Sequence, residues 1–85
     1  MKTYNRRVWL NKKTCDSTGS LVAFDGEVTD LDSKNKYQQT FLEIADCRTK
    51  IRLHRTSDDS REDFISKMKL LEKEIKLFID YLEKH

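Results

Sequence analysis

The feature that most constrains this fold is a stripe of apolar residues in the last third of the chain, residues 57–85. Its members alternate at spacings of four and three, which brings side chains onto one side of an α-helix. The stripe consists of Phe64, Met68, Leu71, Ile75, Phe78 and Leu82. The spacing therefore predicts one long C-terminal helix with a continuous apolar face.

The predicted helix has signals at both of its ends. Ser57 or Ser60 can act as the N-cap, and Ser60 with Asp63 has the spacing of a capping box. Lys84 and His85 lie at the opposite end, where the helix dipole favours cations. We therefore predict a helix over residues 57–85.

The residues before the helix predict four β-strands, at 6–13, 21–29, 37–47 and 50–56. Strands that short loops connect pair antiparallel. Asp25-Gly26 is a common hairpin signal, but the weakly apolar residues after it favour a bulge or bend within one long strand. The predicted fold is a single α+β domain, residues 1–85. It has a four-stranded antiparallel sheet over residues 1–56, followed by one long C-terminal helix packed on one face.

The apolar surface of the helix is broader than a cover for one small sheet requires. Because a chain of 85 residues has only a small core, we expect part of this surface to meet a second copy of the chain. The predicted homodimer interface comprises Phe64, Met68, Leu70, Leu71, Ile75, Leu77, Phe78, Ile79 and Leu82. Lys67 can pair with Glu72 between parallel helices or with Glu74 between antiparallel ones, so both orientations stay open. The alternative is a monomer whose own sheet covers the entire face.

The charges are segregated along the chain, although the net charge is only +2. Residues 1–14 contain five basic residues and no acid, and residues 15–33 contain five acids and no base. Residues 34–56 are again mostly basic. Such segregation can produce a positive surface that an anionic partner recognises. The alternative is a solvated surface with no binding role.

Alternation along the first and fourth predicted strands places basic and aromatic side chains on the outward face of the sheet. Val8 and Leu10 would then face the core, and Tyr4 and Tyr37 would add further rings. The predicted nucleic-acid-binding residues are Arg7, Trp9, Lys13, Lys50, Arg52 and His54. Cations neutralise phosphates and an aromatic ring stacks on a base, a combination that favours single-stranded RNA. The alternative is that Trp9 belongs to the core.

The sequence contains no catalytic, cofactor or metal-binding motif, so we expect a protein that is not an enzyme and holds neither metal nor cofactor. Asp30 and Asp32 begin like a calcium loop, but Lys34 follows and the closing glutamate is missing. His54 is the one plausible general base, with Glu43 across the hairpin as its partner. A small ribonuclease that uses His54 is therefore an alternative to a binding protein.

Cys15 and Cys47 are the only cysteines of the chain, and they lack the spacing of metal ligands. Two isolated cysteines are typical of free thiols in a reducing compartment. The first residues lack the apolar core of a signal peptide, and no apolar run is long enough to span a membrane. We therefore expect a cytoplasmic protein without a membrane partner.

The chain is short, rich in lysine, without proline and without a known motif. In these respects it resembles the small accessory and inhibitor proteins of bacteriophages, over the whole chain and without carrying over any residue. The resemblance implies a protein that binds and inhibits a host enzyme, a toxin or a nucleic-acid machine.

The favoured hypothesis is an antitoxin-like inhibitor or regulator that binds RNA, an RNA-handling protein such as a nuclease or toxin, or both. It would act in the host cytoplasm if a phage encodes it. The alternative is a protein-only interaction module that inhibits a host enzyme.

Overall fold

The computed structural model describes residues 3–12, 19–56 and 58–85. It contains a four-stranded antiparallel sheet followed by one helix, which confirms the predicted α+β order. The elements are β1 (Tyr4–Trp9), β2 (Gly19–Thr29), β3 (Lys36–Asp46), β4 (Thr49–His54) and α1 (Arg61–Lys84). The chain divides into two compact units, Met1–His54 and Arg55–His85. The packing of the helix on one face of the sheet stays a prediction.

The two central strands, β2 and β3, pair without interruption along their whole length. The pairing continues through Asp25, which lies opposite Thr40, and through Gly26, which lies opposite Gln39. One long strand is therefore confirmed at this position. The predicted bulge is wrong, because a bulge would place two residues of one strand opposite a single partner.

A close approach of neighbouring side chains explains why the chain has a glycine inside β2. A Cβ atom on Gly26 would lie 2.9 Å from Cγ2 of Thr3 and 3.3 Å from Cζ of Phe24. The absence of a side chain thus leaves room first for the Thr3 side chain and then for the Phe24 ring. Asp25-Gly26 serves packing in the strand here, although the same dipeptide often forms a turn.

The register determines which residues share a face, because paired residues of antiparallel strands point to the same side of the sheet. One side, which we call the aliphatic face, carries Val8, Leu21, Ala23, Leu42, Ile44, Ile51 and Leu53. The other side, which we call the Arg7 face, carries Arg7, Trp9, Val22, Phe24, Phe41, Glu43, Lys50, Arg52 and His54. The tryptophan and the two phenylalanines of the sheet therefore lie on one side.

The outer strands are shorter than predicted. β1 ends at Trp9, so Leu10 lies beyond the strand and is exposed instead of facing the core. β4 ends at His54, two residues before the predicted end at Thr56. Both edge strands cover only part of the eleven-residue strand beside them. The ends of such strands depend on pairing partners, which alternation alone does not reveal.

The capping box at the start of α1 is confirmed. The backbone N–H of Asp63 donates to Oγ of Ser60 at 3.0 Å, and the backbone N–H of Ser60 donates to Oδ2 of Asp63 at 3.1 Å. The helix therefore begins at Arg61, later than the predicted start at Ser57, which lies outside the described residues. The two bonds satisfy backbone donors that the first turn of a helix leaves without a partner.

We predict that Ser60→Ala lowers the free energy of unfolding by about 1 kcal/mol, because the cap oxygen that accepts from Asp63 is lost. Urea unfolding followed by far-ultraviolet circular dichroism measures this loss. Ser66→Ala is the matched control, since Ser66 is exposed inside α1 and alanine favours a helix interior. Equal unfolding midpoints for the two variants would contradict the capping role.

Candidate nucleic-acid interface

Five of the six residues predicted to bind nucleic acid share the Arg7 face. They are Arg7, Trp9, Lys50, Arg52 and His54. The sixth, Lys13, lies outside the described residues. Arg7 and Trp9 lie on the edge strand β1, whereas the other three lie on the opposite edge strand β4. The predicted set therefore occupies both borders of one sheet face.

Trp9 is a surface residue, so the alternative that assigned it to the core is wrong. Its side chain is 63% exposed. The guanidinium of Arg7 lies over the ring, with 5.8 Å between Cζ and the ring centroid. This distance is within the range of a cation–π contact, and most of the ring stays exposed. The face thus presents a flat aromatic surface beside a positive charge.

A stack of rings forms the centre of the Arg7 face. The rings of Phe24 and Phe41 lie 5.5 Å apart at an interplanar angle of 19°. The guanidinium of Arg52 lies 4.1 Å from the Phe41 centroid, and the ring of His54 lies 6.2 Å from it. Phe24 and Phe41 were not among the predicted site residues, because large apolar side chains in central strands normally indicate core.

Glu43 is the third residue of the face that was not among the predicted site residues, and it is the acid among the cations. Its Oε1 accepts from Nε of Arg52 at 3.0 Å and from Nη2 at 2.8 Å. Nζ of Lys50 lies 4.0 Å from the same oxygen. The side chain of Glu43 is only 12% exposed. An acid in the apolar middle of a strand indicated such a partner, since charged groups are seldom buried alone.

The cations around Glu43 lower the pKa of its carboxyl group. The hydrogen bond from Arg52 contributes most, and the positive charges of Arg52, Lys50 and Arg7 add to it. Desolvation acts in the opposite direction but is outweighed. Glu43 is therefore ionised at neutral pH and holds the Arg52 guanidinium against the Phe41 ring.

The ribonuclease alternative requires Glu43 directly opposite His54, and the register does not place it there. His54 lies opposite Phe41, whereas Glu43 lies opposite Arg52 and accepts its hydrogen bonds. The expected placement of Glu43 directly across from His54 is therefore wrong by two residues along the strand. Tyr4 and Tyr37 were both predicted to add rings to the binding face. Tyr37 lies on the Arg7 face, but Tyr4 lies on the aliphatic face.

Cations also occur on the aliphatic side of the sheet, and they allow the two faces to be compared. Arg6 alternates with Arg7 along β1 and points to the aliphatic side. Lys36 lies on that side too, with Nζ 3.8 Å from Oε1 of Glu27. Charge alone therefore does not distinguish the two faces. The Arg7 face differs by its exposed tryptophan and its aromatic stack, groups that stack on nucleic-acid bases.

The helix residues predicted to form a dimer interface differ in exposure. Phe64, at 8% exposure, is the one buried hydrophobic side chain in the part of the chain that the structure describes. Met68 and Leu71 are half-buried. The exposed members are Leu70, Ile75, Leu77, Phe78, Ile79 and Leu82. Leu70 and Leu77 lie about 120° around the helix from the stripe, since each residue advances the helix by about 100°.

Comparison with models of known protein families, with curated proteins and with solved structures finds no match for this chain. Within residues 3–12, 19–56 and 58–85, no helix combines the length and the apolar character needed to cross a membrane. In the same ranges, no three His, Cys, Asp or Glu side chains are grouped in a way that could hold a metal ion.

We predict that Arg52→Gln raises the pKa of Glu43, because the substitution removes the largest cause of its lowering. Titration of the Glu43 carboxyl carbon by NMR measures this pKa. Arg48→Gln is the control, since it removes the same charge from the turn between β3 and β4. An equal rise in both variants would show that net charge, and not the Arg52 contact, lowers the pKa.

The stabilisation that the Glu43–Arg52 ion pair gives to the fold depends on pH. The folded pKa of Glu43 lies below the unfolded value, so the stabilisation is fully present above the unfolded pKa. It is lost as the pH falls through the lowered, folded pKa. Arg52→Gln should therefore reduce the acid-induced loss of stability.

Proposed function

We propose that this protein is a non-enzymatic binding protein that binds single-stranded RNA through the Arg7 face. The observation that carries the proposal is the position of an exposed tryptophan, two arginines and a lysine on one side of one sheet. Bases of a single strand can stack on exposed rings, while the cations beside the rings contact phosphates.

The arrangement of the cations favours a strand that crosses the sheet. Arg7 and Trp9 lie on one edge strand, and Lys50 lies on the other, with β2 and β3 between them. Neighbouring strands are about 4.8 Å apart, so the edges are separated by roughly 14 Å. This distance corresponds to a few nucleotides. A backbone that runs from β1 to β4 would meet the cations at both borders.

Glu43 is consistent with this proposal because its charge is already compensated. Arg52 and Lys50 both lie within 4.0 Å of its Oε1. The described residues of the Arg7 face include three Lys or Arg side chains and one carboxylate, which leaves a positive excess. Arg52 is held by Glu43 and contributes a rigid planar surface over Phe41. Arg7 and Lys50, both exposed, are the residues best placed for phosphates.

The biological role that fits such a face is inhibition or regulation by occupancy. A small binding protein can block an RNA-handling protein, such as a nuclease or a toxin, by covering its substrate or by docking beside it. This role agrees with the resemblance to bacteriophage accessory and inhibitor proteins. This role requires no catalysis. It is consistent with the register, in which His54 lies opposite Phe41 and not opposite a carboxylate.

The proposal includes a homodimer formed through the stripe of α1. Its support is the exposure of large apolar residues along the helix, from Ile65 to Leu82. It also places the protein in a cytoplasm, since Cys47 is a free and exposed thiol, as is typical of a reducing compartment.

We predict that Arg7→Gln weakens binding to a single-stranded RNA oligonucleotide severalfold. Loss of one phosphate contact should also reduce the slope of log K against log salt concentration by about 0.7. Fluorescence anisotropy of labelled RNA over a series of salt concentrations measures both quantities.

Arg6→Gln is a closely matched control, because Arg6 is the neighbouring residue on the same strand and points to the aliphatic side. It should leave the salt slope unchanged. If both variants behave alike, the Arg7 face is not the binding surface. The protein-only interaction module predicts a different result. The wild-type protein would then not bind RNA, and its complex with a protein partner from lysate would survive treatment with ribonuclease.

A further inference from the structure

The two carboxylate oxygens of Glu43 have different surroundings. Oε1 accepts from Nε and Nη2 of Arg52 and lies 4.0 Å from Nζ of Lys50. Within residues 3–12, 19–56 and 58–85, no hydrogen bond ends on Oε2. Because no buried side-chain oxygen in these ranges lacks a hydrogen-bond partner, Oε2 is in contact with solvent. The Arg7 face therefore offers one unused acceptor between its cations.

The register places this acceptor beside a row of residues that can receive a base. The row crosses all four strands and consists of Trp9, Ser20, Ala45 and Lys50. Ser20 and Ala45 have small side chains, so they leave room between the exposed ring of Trp9 and the exposed side chain of Lys50. Glu43 precedes Ala45 by two positions on the same face, a separation of about 7 Å at about 3.4 Å per residue. The edge of a base in this row is therefore within reach of Oε2.

All of these residues belong to one compact unit, Met1–His54, and strand pairing determines their mutual positions. The arrangement uses no contact with the helix. The nearby cations keep the carboxyl group of Glu43 ionised at neutral pH, because they lower its pKa. An ionised carboxylate accepts hydrogen bonds and donates none. Oε2 consequently favours a base edge that brings a donor to it.

We infer that Oε2 of Glu43 selects bases with an exocyclic amino group, so that the Arg7 face binds cytosine in preference to uracil. The inference deepens the proposed function and rests on it. Cytosine donates from its N4 amino group, whereas uracil has a carbonyl oxygen in the same place, as thymine does. The amino group can donate to Oε2, but the carbonyl oxygen would meet the carboxylate with a partial charge of the same sign.

The remaining donor of uracil does not remove this difference. Its N3–H group lies between two carbonyl oxygens, so turning it towards Oε2 brings both oxygens towards the carboxylate. Arg52 offsets little of that repulsion, because its Nε and Nη2 already donate to Oε1. One net hydrogen bond corresponds to roughly threefold to tenfold in affinity. We expect a preference for cytosine of this size.

The role of Glu43 is tested by fluorescence anisotropy with labelled oligocytidylate and oligouridylate of equal length, at neutral pH and one salt concentration. Wild-type protein should bind the cytosine strand roughly threefold to tenfold more tightly. Glu43→Gln should bind both strands alike, because an amide can accept from the amino group and donate to the carbonyl oxygen. Glu27→Gln is the matched control and should keep the preference, since Glu27 is the other glutamate of the sheet and lies on the aliphatic side beside Lys36. A preference that persists in Glu43→Gln would overturn the inference.

A change in the ligand tests the same contact without altering the protein. An oligonucleotide of 2-pyrimidinone ribonucleotides has a hydrogen atom in place of the amino group of cytosine and gains no carbonyl oxygen there. It should bind wild-type protein more weakly than oligocytidylate, because the donor to Oε2 is gone. Equal affinities for these two strands would overturn the inference, even if Glu43→Gln failed to fold by circular dichroism.

The outcomes distinguish this inference from the proposed function. Wild-type protein that binds none of the oligonucleotides contradicts the proposed function, and the base preference with it. Wild-type protein that binds cytosine and uracil strands with equal affinity contradicts the preference alone and leaves RNA binding by the Arg7 face in place.

Discussion

The pairing of β2 with β3 is the constraint on which the binding face depends, because both strands lie in the middle of the sheet and the edge strands pair onto them. A shift of one residue between strands moves every side chain to the opposite face. Contacts on both sides oppose such a shift. On the Arg7 face, Phe24 stacks on Phe41. On the other side, Oδ1 of Asp25 accepts from Gln38 and from Thr40 at 3.0 Å and 2.6 Å.

A second consequence of the register is the environment of Glu43. The carboxylate is brought opposite Arg52 and close to Lys50, so that its lowered pKa and the fixed position of Arg52 have the same cause. The acid reduces the positive charge of the face, but it also keeps the Arg52 guanidinium over the Phe41 ring. A rigid planar surface loses little conformational freedom when another ring or base stacks on it.

Local patterns were sufficient to predict the order of the elements, the capping box and the continuity of β2. These features depend on neighbouring residues: Ser60 and Asp63 are three positions apart, and the helix stripe repeats within one segment. Alternation also placed Arg7 with Trp9, and Arg52 with Lys50, correctly on shared sides of their own strands. Each of these inferences needed only one element at a time.

The remaining features depend on which strand residues pair, and alternation does not specify that. The register placed Phe24 and Phe41 among the cations, aligned Glu43 with Arg52 in place of His54, and made Asp25-Gly26 part of a regular strand. The shorter edge strands left Leu10 outside the sheet for the same reason. Exposure along α1 likewise depends on packing, so the stripe alone did not distinguish Phe64 from Phe78.

The most direct measurement of the central claim uses Trp9, the only tryptophan of the chain, as a fluorescent reporter on the Arg7 face. Addition of a single-stranded RNA homopolymer at low salt should quench its emission, and added salt should restore it. An abasic oligonucleotide of equal length should bind through phosphates but quench much less, because it has no base to stack. Unchanged emission with RNA that is shown to be bound would contradict the account.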